Sequence, residues 1–393
     1  MKITKIVCLL ALLGGAACTG NDDDTPTGST GGSDNPDPEN PIGALTLNVS
    51  SRFLAADGED AIVFTVYKGD SDVTAEATIF DKGTSAELSS SRFSTTQAGT
   101  YKFFASYGSE ISEIVSISAV SGVPDLPVDP DPDRFDGFRR HVLITQFTSC
   151  ECTYCPYASA SLIEYFKANT LGDAIHAGVH VSIPSADNMV NESSLAIKNM
   201  VVVSSAPTVG FDLRKDLRYT MSSSGLTQNI ASNVKLLENN IAKRLALDTP
   251  VGISAAATAT STQILVNAEA KVALDGNYRI SAWLLEDGIE EQQINGTGIK
   301  GYDFDNHNNV VRAISNVAYV PGDVLGTDGS MAKGASARFF ATFDIARAKV
   351  ADAANCKVLI VVTTSDAASP TVFYVANLIS CPVGGTAAYE YLD

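Results

Sequence analysis

Phe147-Thr148-Ser149-Cys150-Glu151-Cys152-Thr153-Tyr154-Cys155-Pro156 is the stretch on which the reading of this chain turns. An apolar run, Val142-Leu143-Ile144, leads into it, and a helix-like segment leads out. A C-x-x-C pair at a strand-to-helix junction is how thiol–disulfide proteins present a reactive sulfur. Further along, Ser205-Ala206-Pro207-Thr208 stands just before another short strand. The two features together are more specific than either alone.

Working outward, 138–248 alternates strand and helix. His141 to Phe147 reads as a buried strand, and Pro156 to Asn169 as a helix with Leu162, Ile163 and Phe166 on one side. Ile175 to Ser182 is the next strand and Ser194 to Met200 the next helix. Thr208–Phe211 and Leu217–Met221 read as a hairpin. Leu226, Ile230, Val234, Leu237, Ile241 and Leu245 then form one apolar helical stripe. This order resembles thioredoxin, where a cis-proline faces the two cysteines; the resemblance puts Pro207 in that place.

Thiolate is the species that attacks a disulfide. Cys152, at or just before a helix N-terminus, would be the attacking thiol, favoured by the helix dipole. Cys155, one turn on, would be the resolving thiol, and Pro207 the wall against which a substrate lies. Three residues depart from thioredoxin itself. Glu151 stands in place of the Trp before the first cysteine, Gln146 in place of a buried Asp, and Thr153-Tyr154 between the cysteines. A carboxylate at 151 weakens Cys152 as a nucleophile, and Gln146 cannot carry a proton. These changes fit a slow oxidase or isomerase, or a static disulfide, better than a fast reductase. A metal reading uses Cys150, Cys152 and Cys155 with His176 or His180, a set suited to zinc or copper(I). Asp303-Phe304-Asp305-Asn306-His307-Asn308-Asn309 collects oxygen ligands but lacks the Gly and distal Glu of a calcium loop. No metal and no cofactor are expected.

The ends set the compartment. Lys2 and Lys5 precede an apolar core, Ile6 to Leu13, too short to span a bilayer. Gly15-Ala16-Ala17-Cys18 then resembles a lipobox, so residues 1–17 are read as a signal peptide and Cys18 as the lipidated residue. Residues 18–43 form an acidic, Gly/Ser/Pro-rich tether with a mean reach of about 25–30 Å. Losing a leader that holds Lys2 and Lys5 and no acid takes the formal charge from −18 to about −20. That balance excludes nucleic acid as a partner, since phosphate needs Lys and Arg. Seven cysteines are present. In an exported chain, Cys152–Cys155 and Cys356–Cys381 are the expected disulfides, and Cys150 is left over.

The flanking blocks read as strands. Residues 44–121 alternate, with Ala61–Tyr67 and Gly99–Tyr107 as strands and Tyr101, Phe103, Ala105 and Tyr107 on one face. This suggests an Ig-like β-sandwich. Residues 122–137 form a Pro/Asp-rich linker, a semi-rigid extended spacer. Residues 249–393 give candidate strands Val251–Thr258, Gln263–Val272, Tyr278–Glu286, Ala335–Asp344, Cys356–Thr364 and Phe373–Ser380, with Asp275-Gly276 as a hairpin signal. A long loop spans 288–309. The fold class is therefore multidomain α/β plus all-β: an N-terminal Ig-like β-sandwich, a central thioredoxin-like α/β domain and a C-terminal β-sandwich.

The lipoprotein start, Phe147-Thr148, Cys152-x-x-Cys155-Pro156, Ala206-Pro207-Thr208 and the long C-terminal β region resemble the 28-kDa outer-membrane-protein-related lipoproteins of Bacteroidetes. The resemblance covers roughly Phe138 to Cys381; Ser149 and Gln146 replace that family's usual Gly and Glu. It implies an outer-membrane lipoprotein, surface-exposed or facing the periplasm, and brings no substrate. Two functions stand side by side. One is a thiol–disulfide oxidoreductase acting on protein or peptide thiols and disulfides. The other is a non-enzymatic surface binding or adhesion protein whose C-x-x-C is a structural disulfide. The membrane is the expected partner through the lipid anchor, and the sequence sets no oligomeric state.

Overall fold

The computed structural model describes residues 45–326, 329–366 and 368–392; the expected leader, lipidated Cys18 and tether lie outside the described residues. The strand Val142–Thr148 is the hub. It is buried at every position, as a strand covered on both faces must be. It pairs in parallel with Ala174–His180, from Val142↔Ala174 to Thr148↔His180. On its other edge it pairs antiparallel with Thr208–Phe211, from Ile144↔Phe211 to Phe147↔Thr208. The crossover between the parallel strands is α1, Cys155–Ala168, the connection such a pair requires.

Alternation along this strand builds two cores. Val142 and Ile144 face Leu162 and Tyr165 of α1 and Leu237 and Ile241 of α3, Ile230–Leu245. Leu143 and Phe147 face Ile197 and Val201 of α2, Glu192–Val201, together with Trp283, Leu359 and Val361. Each such fully buried side chain contributes about 1.5–3 kcal/mol.

The last residues of that second core belong to the C-terminal block. One ten-stranded sheet runs through both blocks, with eight strands in the order Arg218–Thr220, Thr208–Phe211, Val142–Thr148, Ala174–His180, Val310–Ile314, Gly276–Glu286, Cys356–Asp366, Ser369–Pro382, and the short strands Asp323–Val324 and Ser330–Met331 added beside Gly276–Glu286. The strand Val310–Ile314, which the sequence pattern had left unassigned, is the bridge: Val310 pairs with Gly178 on one side and Glu286 on the other. The boundary expected at 248/249 thus crosses a continuous sheet, and the described residues from Leu45 onward cluster as one compact unit. A second sheet, Ser336–Asp344, Gln263–Val272, Val251–Ala259 and Gly385–Ala387, packs on the far half of the first. Ile253, Val266 and Phe339 meet Ile280, Leu284, Val358 and Ile360 between the two.

Three local expectations change. Asp275-Gly276 makes no hairpin: Gln263–Val272 pairs with Val251–Ala259 and Ser336–Asp344, whereas Gly276–Glu286 pairs in the other sheet, so the turn carries the chain between layers. Cys356 and Cys381 are both free and buried, and the expected bridge is absent. Their strands are antiparallel neighbours, but Cys381 lies opposite Val358, two residues from Cys356. Diagonal positions stand about 7–8 Å apart, beyond disulfide reach. The stripe read from Leu226 to Leu245 is also rotated. α3 begins only at Ile230, capped by the Asn229 side chain on the Ser232 N–H, and buries Asn233, Leu237, Asn240, Ile241 and Arg244.

The front block, from Leu45 to Val120, forms two sheets around one core. Ile62, Phe64 and Val66 of one sheet meet Phe103, Ala105 and Ile117 of the other, with Tyr101 and Tyr107 packed at the margin. The linker that follows is tied down. Lys271 donates to the carbonyls of Asp131, Pro132 and Arg134 and forms an ion pair with Asp129. The 122–137 segment is therefore docked on the C-terminal block, not held off as a spacer. Among the described residues, no helix is long and apolar enough to cross a membrane.

Candidate functional site

The site grows from the carboxyl end of Val142–Thr148. The chain turns there twice: Cys152 N–H donates to Ser149 O at 3.0 Å, and Cys155 N–H to Cys152 O at 3.2 Å. α1 opens at Cys155 behind Tyr154, with Pro156 in its first turn, where a missing N–H goes unnoticed. Cys152 and Cys155 are joined in a disulfide, with Cα atoms 5.4 Å apart. Cys152 is 3% exposed and Cys155 fully buried, while Glu151, Thr153 and Tyr154 around them face solvent.

Pro207 stands at the same end of the sheet. The Ala206–Pro207 bond is cis, and Thr208 pairs directly with Phe147. Pro207 O accepts the Thr220 hydroxyl at 3.3 Å. Gln146 reaches away, donating to Ser159 Oγ of α1 at 2.9 Å.

A strap from the C-terminal block closes over this turn, marked beforehand only by a loop long enough to suggest function. The Gln293 amide lies within 3.0–3.2 Å of the carbonyls of Ser149, Cys150 and Cys152. Ile294 N–H donates to Cys150 O at 2.8 Å and Gly296 N–H to Thr153 O at 3.2 Å. Gly296 is required by this approach, because a Cβ there would sit 2.1 Å from Thr153 Cγ2. The strap is held in shape by a short pairing of Ile289–Glu290 with Asn306–His307 and by Asp305 Oδ1, which accepts Gln293 N–H at 2.8 Å. Asn308 Oδ1 accepts Gly288 N–H, and Asn306 Nδ2 donates to Glu290. The oxygen-rich 303–309 run thus spends these groups on its own loop.

Cys150 points into a separate cluster. Its N–H donates to Asp187 Oδ2 at 2.8 Å, and its Sγ lies 3.8 Å from His307 Nε2. Asp187 Oδ2 also meets His180 Nδ1 at 2.8 Å, and its Oδ1 accepts Met189 N–H at 2.8 Å. Burial pushes the Cys150 thiol up to about 12, helped by the Asp187 and Glu291 charges. It is therefore a thiol at neutral pH and no rival to Cys152. Burial pushes Asp187 up as well, but the His180 bond and the two backbone N–H groups outweigh it and hold the carboxyl below its usual range. Burial and the neighbouring His180 lower His307.

The four-ligand set read from the sequence is corrected here. Cys152 and Cys155 spend their sulfurs on each other. His176 turns to Asn309, with Nδ1 3.3 Å from its Nδ2. Cys150 and His180 do come together, joined by Asp187 and His307, which sequence spacing could not supply.

No protein-family model and no curated protein matches this chain. Among solved structures, HBP35 of Porphyromonas gingivalis is similar over 63% of this chain and 77% of its own, at 16% identity and a TM-score of 0.49.

Proposed function

We propose that this chain is a lipid-anchored protein of the outer-membrane surface, related to the 28-kDa outer-membrane-protein-related lipoproteins of Bacteroidetes. In this reading it carries an Ig-like front domain and a thioredoxin-like central domain with a thiol–disulfide exchange pair. The observation that carries the reading is the Cys152–Cys155 disulfide at the head of α1, at the same sheet end as cis-Pro207. A substrate thiolate attacks Cys152 Sγ, the Cys152–Cys155 bond breaks, and Cys155 leaves with the electron pair. A second substrate thiolate then displaces Cys152. The substrate gains a disulfide, and the pair becomes a dithiol that a further disulfide compound must reoxidise.

A specific observation favours the second reading, a fixed staple in a binding or adhesion protein. The sulfurs are buried, and the strap engages the carbonyls of residues 149, 150, 152 and 153. Titrating the purified ectodomain against a thiol–disulfide buffer, with Cys152→Ser as the silent control, separates the two. An exchange site gives a potential above about −300 mV, the range of labile pairs. In Gln293→Ala, loss of the clamp should speed reduction about tenfold, the equivalent of one or two net hydrogen bonds. A pair that stays oxidised in both proteins until they unfold is a staple, and the exchange reading then fails. For the anchor, Cys18→Ser should move the full chain from the membrane fraction to the soluble fraction. Retention in the membrane would overturn the lipid assignment.

A further inference from the structure

We infer that Cys150, His180, Asp187 and His307 form a buried site for one divalent cation of the zinc class, separate from the Cys152–Cys155 pair. Cys150 Sγ, a His180 ring nitrogen and an Asp187 oxygen all lie within 4.8 Å of one another. His307 Nε2 adds a fourth donor 3.8 Å from Cys150 Sγ, with its ring edge-on to His180 at 5.2 Å. Around tetrahedral zinc, with bonds of about 2.0–2.3 Å, neighbouring donors stand about 3.3–3.7 Å apart. Cys150, His180 and Asp187 need shift by only about 1 Å, the 2.8 Å hydrogen bond between His180 Nδ1 and Asp187 Oδ2 opening as the ion takes its place.

The placement is that of a ligand site. Thr148 pairs in parallel with His180, so Cys150 and His180 sit just beyond, or at, the carboxyl ends of adjacent strands, where open α/β sheets bind ligands. Asp187 comes from the loop behind the second cis bond, Ile183–Pro184, and His307 from the strap. Cys150, His180 and Asp187 are 3%, 2% and 8% exposed, yet His180 and His307 also line a cavity of about 470 Å³ that offers an entry path. Two of the Asp187 lone pairs are already set by the N–H groups of Cys150 and Met189, the supporting shell that orients a ligating carboxylate.

The donor chemistry selects the ion. One sulfur, two imidazoles and one carboxylate suit a borderline-soft cation, whereas calcium and magnesium ask for shells of six or more oxygens. On binding, Cys150 gives up its thiol proton to solvent. His307 Nε2, now 3.0 Å from Glu291 O, exchanges that hydrogen bond for the metal, and its proton moves to Nδ1.

Cobalt(II) is the probe, added to the purified full chain with its disulfide intact and no reductant, then displaced by zinc. The expected result is one equivalent bound, with a thiolate-to-cobalt charge-transfer band and the visible bands of a tetrahedral centre. Cys150→Ser should abolish the charge-transfer band. His307→Ala, at a half-buried strap position that leaves the core untouched, should weaken binding about tenfold to a hundredfold. Cys356→Ser should bind as the parent does. Absence of the thiolate band in the parent protein overturns the site. So does a band that appears only after reductant is added, since the cation would then sit on Cys152 and Cys155.

Discussion

Asp212→Ala is expected to cost about 3–5 kcal/mol of folding stability, the range for removing one partner of a buried ion pair. Asp212 is fully buried and is the only carboxylate bonded to two guanidiniums among the described ion pairs: Arg244 Nε donates to its Oδ2 at 2.6 Å, and Arg140 Nη2 lies 3.4 Å from the same atom. Its Oδ1 accepts Leu143 N–H at 3.0 Å. Arg140 also donates to the carbonyls of Ala376 and Asp248. One carboxylate therefore ties the hub strand to α3 and to the C-terminal strand Ser369–Pro382. Alanine leaves two charges in the interior with no counter-ion and one backbone N–H unpaired. Burial already disfavours the Arg140 charge, and the nearby Asp212 is what offsets it.

Urea unfolding of the parent and three variants tests this. Asp212→Asn keeps the side-chain shape and the Leu143 hydrogen bond and removes only the charge, so it isolates the electrostatic part. Asp212 has φ 50°, a region that Asn tolerates better than Ala, which adds to the difference between the two variants. Combining Asp212→Asn with Arg140→Met and Arg244→Leu should recover much of the loss, because an apolar cluster carries no stranded charge. An Asp212→Ala protein within about 0.5 kcal/mol of the parent, the range of ordinary surface substitutions, would show that the cluster is solvated and not structural.

The sequence marked this cluster only faintly. Arg244 falls on the same helical face as Leu237 and Ile241, and a charge inside an apolar stripe is a sign of a buried partner. Which carboxylate answers it depends on the hairpin turn at 212, which no local pattern specifies. The same divide runs through the rest of the molecule. The strands and helices of 138–248 were legible because apolar periodicity and the C-x-x-C junction are local signals. The bridge Val310–Ile314 was not, because a five-residue run with Arg312 in it looks like loop until its neighbours are known. Asp275-Gly276 announced a turn correctly and named the wrong partner, since turn chemistry does not say which sheet receives the next strand. Cys356 and Cys381 each lie at an apolar strand legible in the sequence, and the fold makes those strands neighbours, but register, not adjacency, decides a disulfide. At the site, Cys152, Cys155 and Pro207 could be read from their motifs. Gln293, Asp187 and His307 are brought in by a strap and a loop whose paths follow from the tertiary fold.

Stability should fall by about 1–2 kcal/mol between pH 7 and pH 5, with His176 as the main source. Burial holds this imidazole down to about 4, and the Lys357 charge lowers it further while Asp287 works weakly the other way. Geometry explains the direction. Asn309 Nδ2 approaches Nδ1 at 3.3 Å, so the ring's proton sits on Nε2, which is buried without a partner. A second proton at Nδ1 would point at another donor. In the unfolded chain the ring titrates near 6.5. Between about 6.5 and 4 the unfolded state therefore binds a proton that the native state refuses, and stability rises with pH across that window. His141 and His307, both lowered chiefly by burial, add smaller parts to the same slope. Carboxylates that the fold holds low, such as Asp129 and Asp187, act only below about pH 4 and cannot account for a loss at pH 5. Urea midpoints measured from pH 7 to pH 5 should fall in the parent and fall distinctly less in His176→Gln. An equal slope in both proteins, or a His176 resonance titrating near 6.5 in the native state, would assign the pH dependence elsewhere.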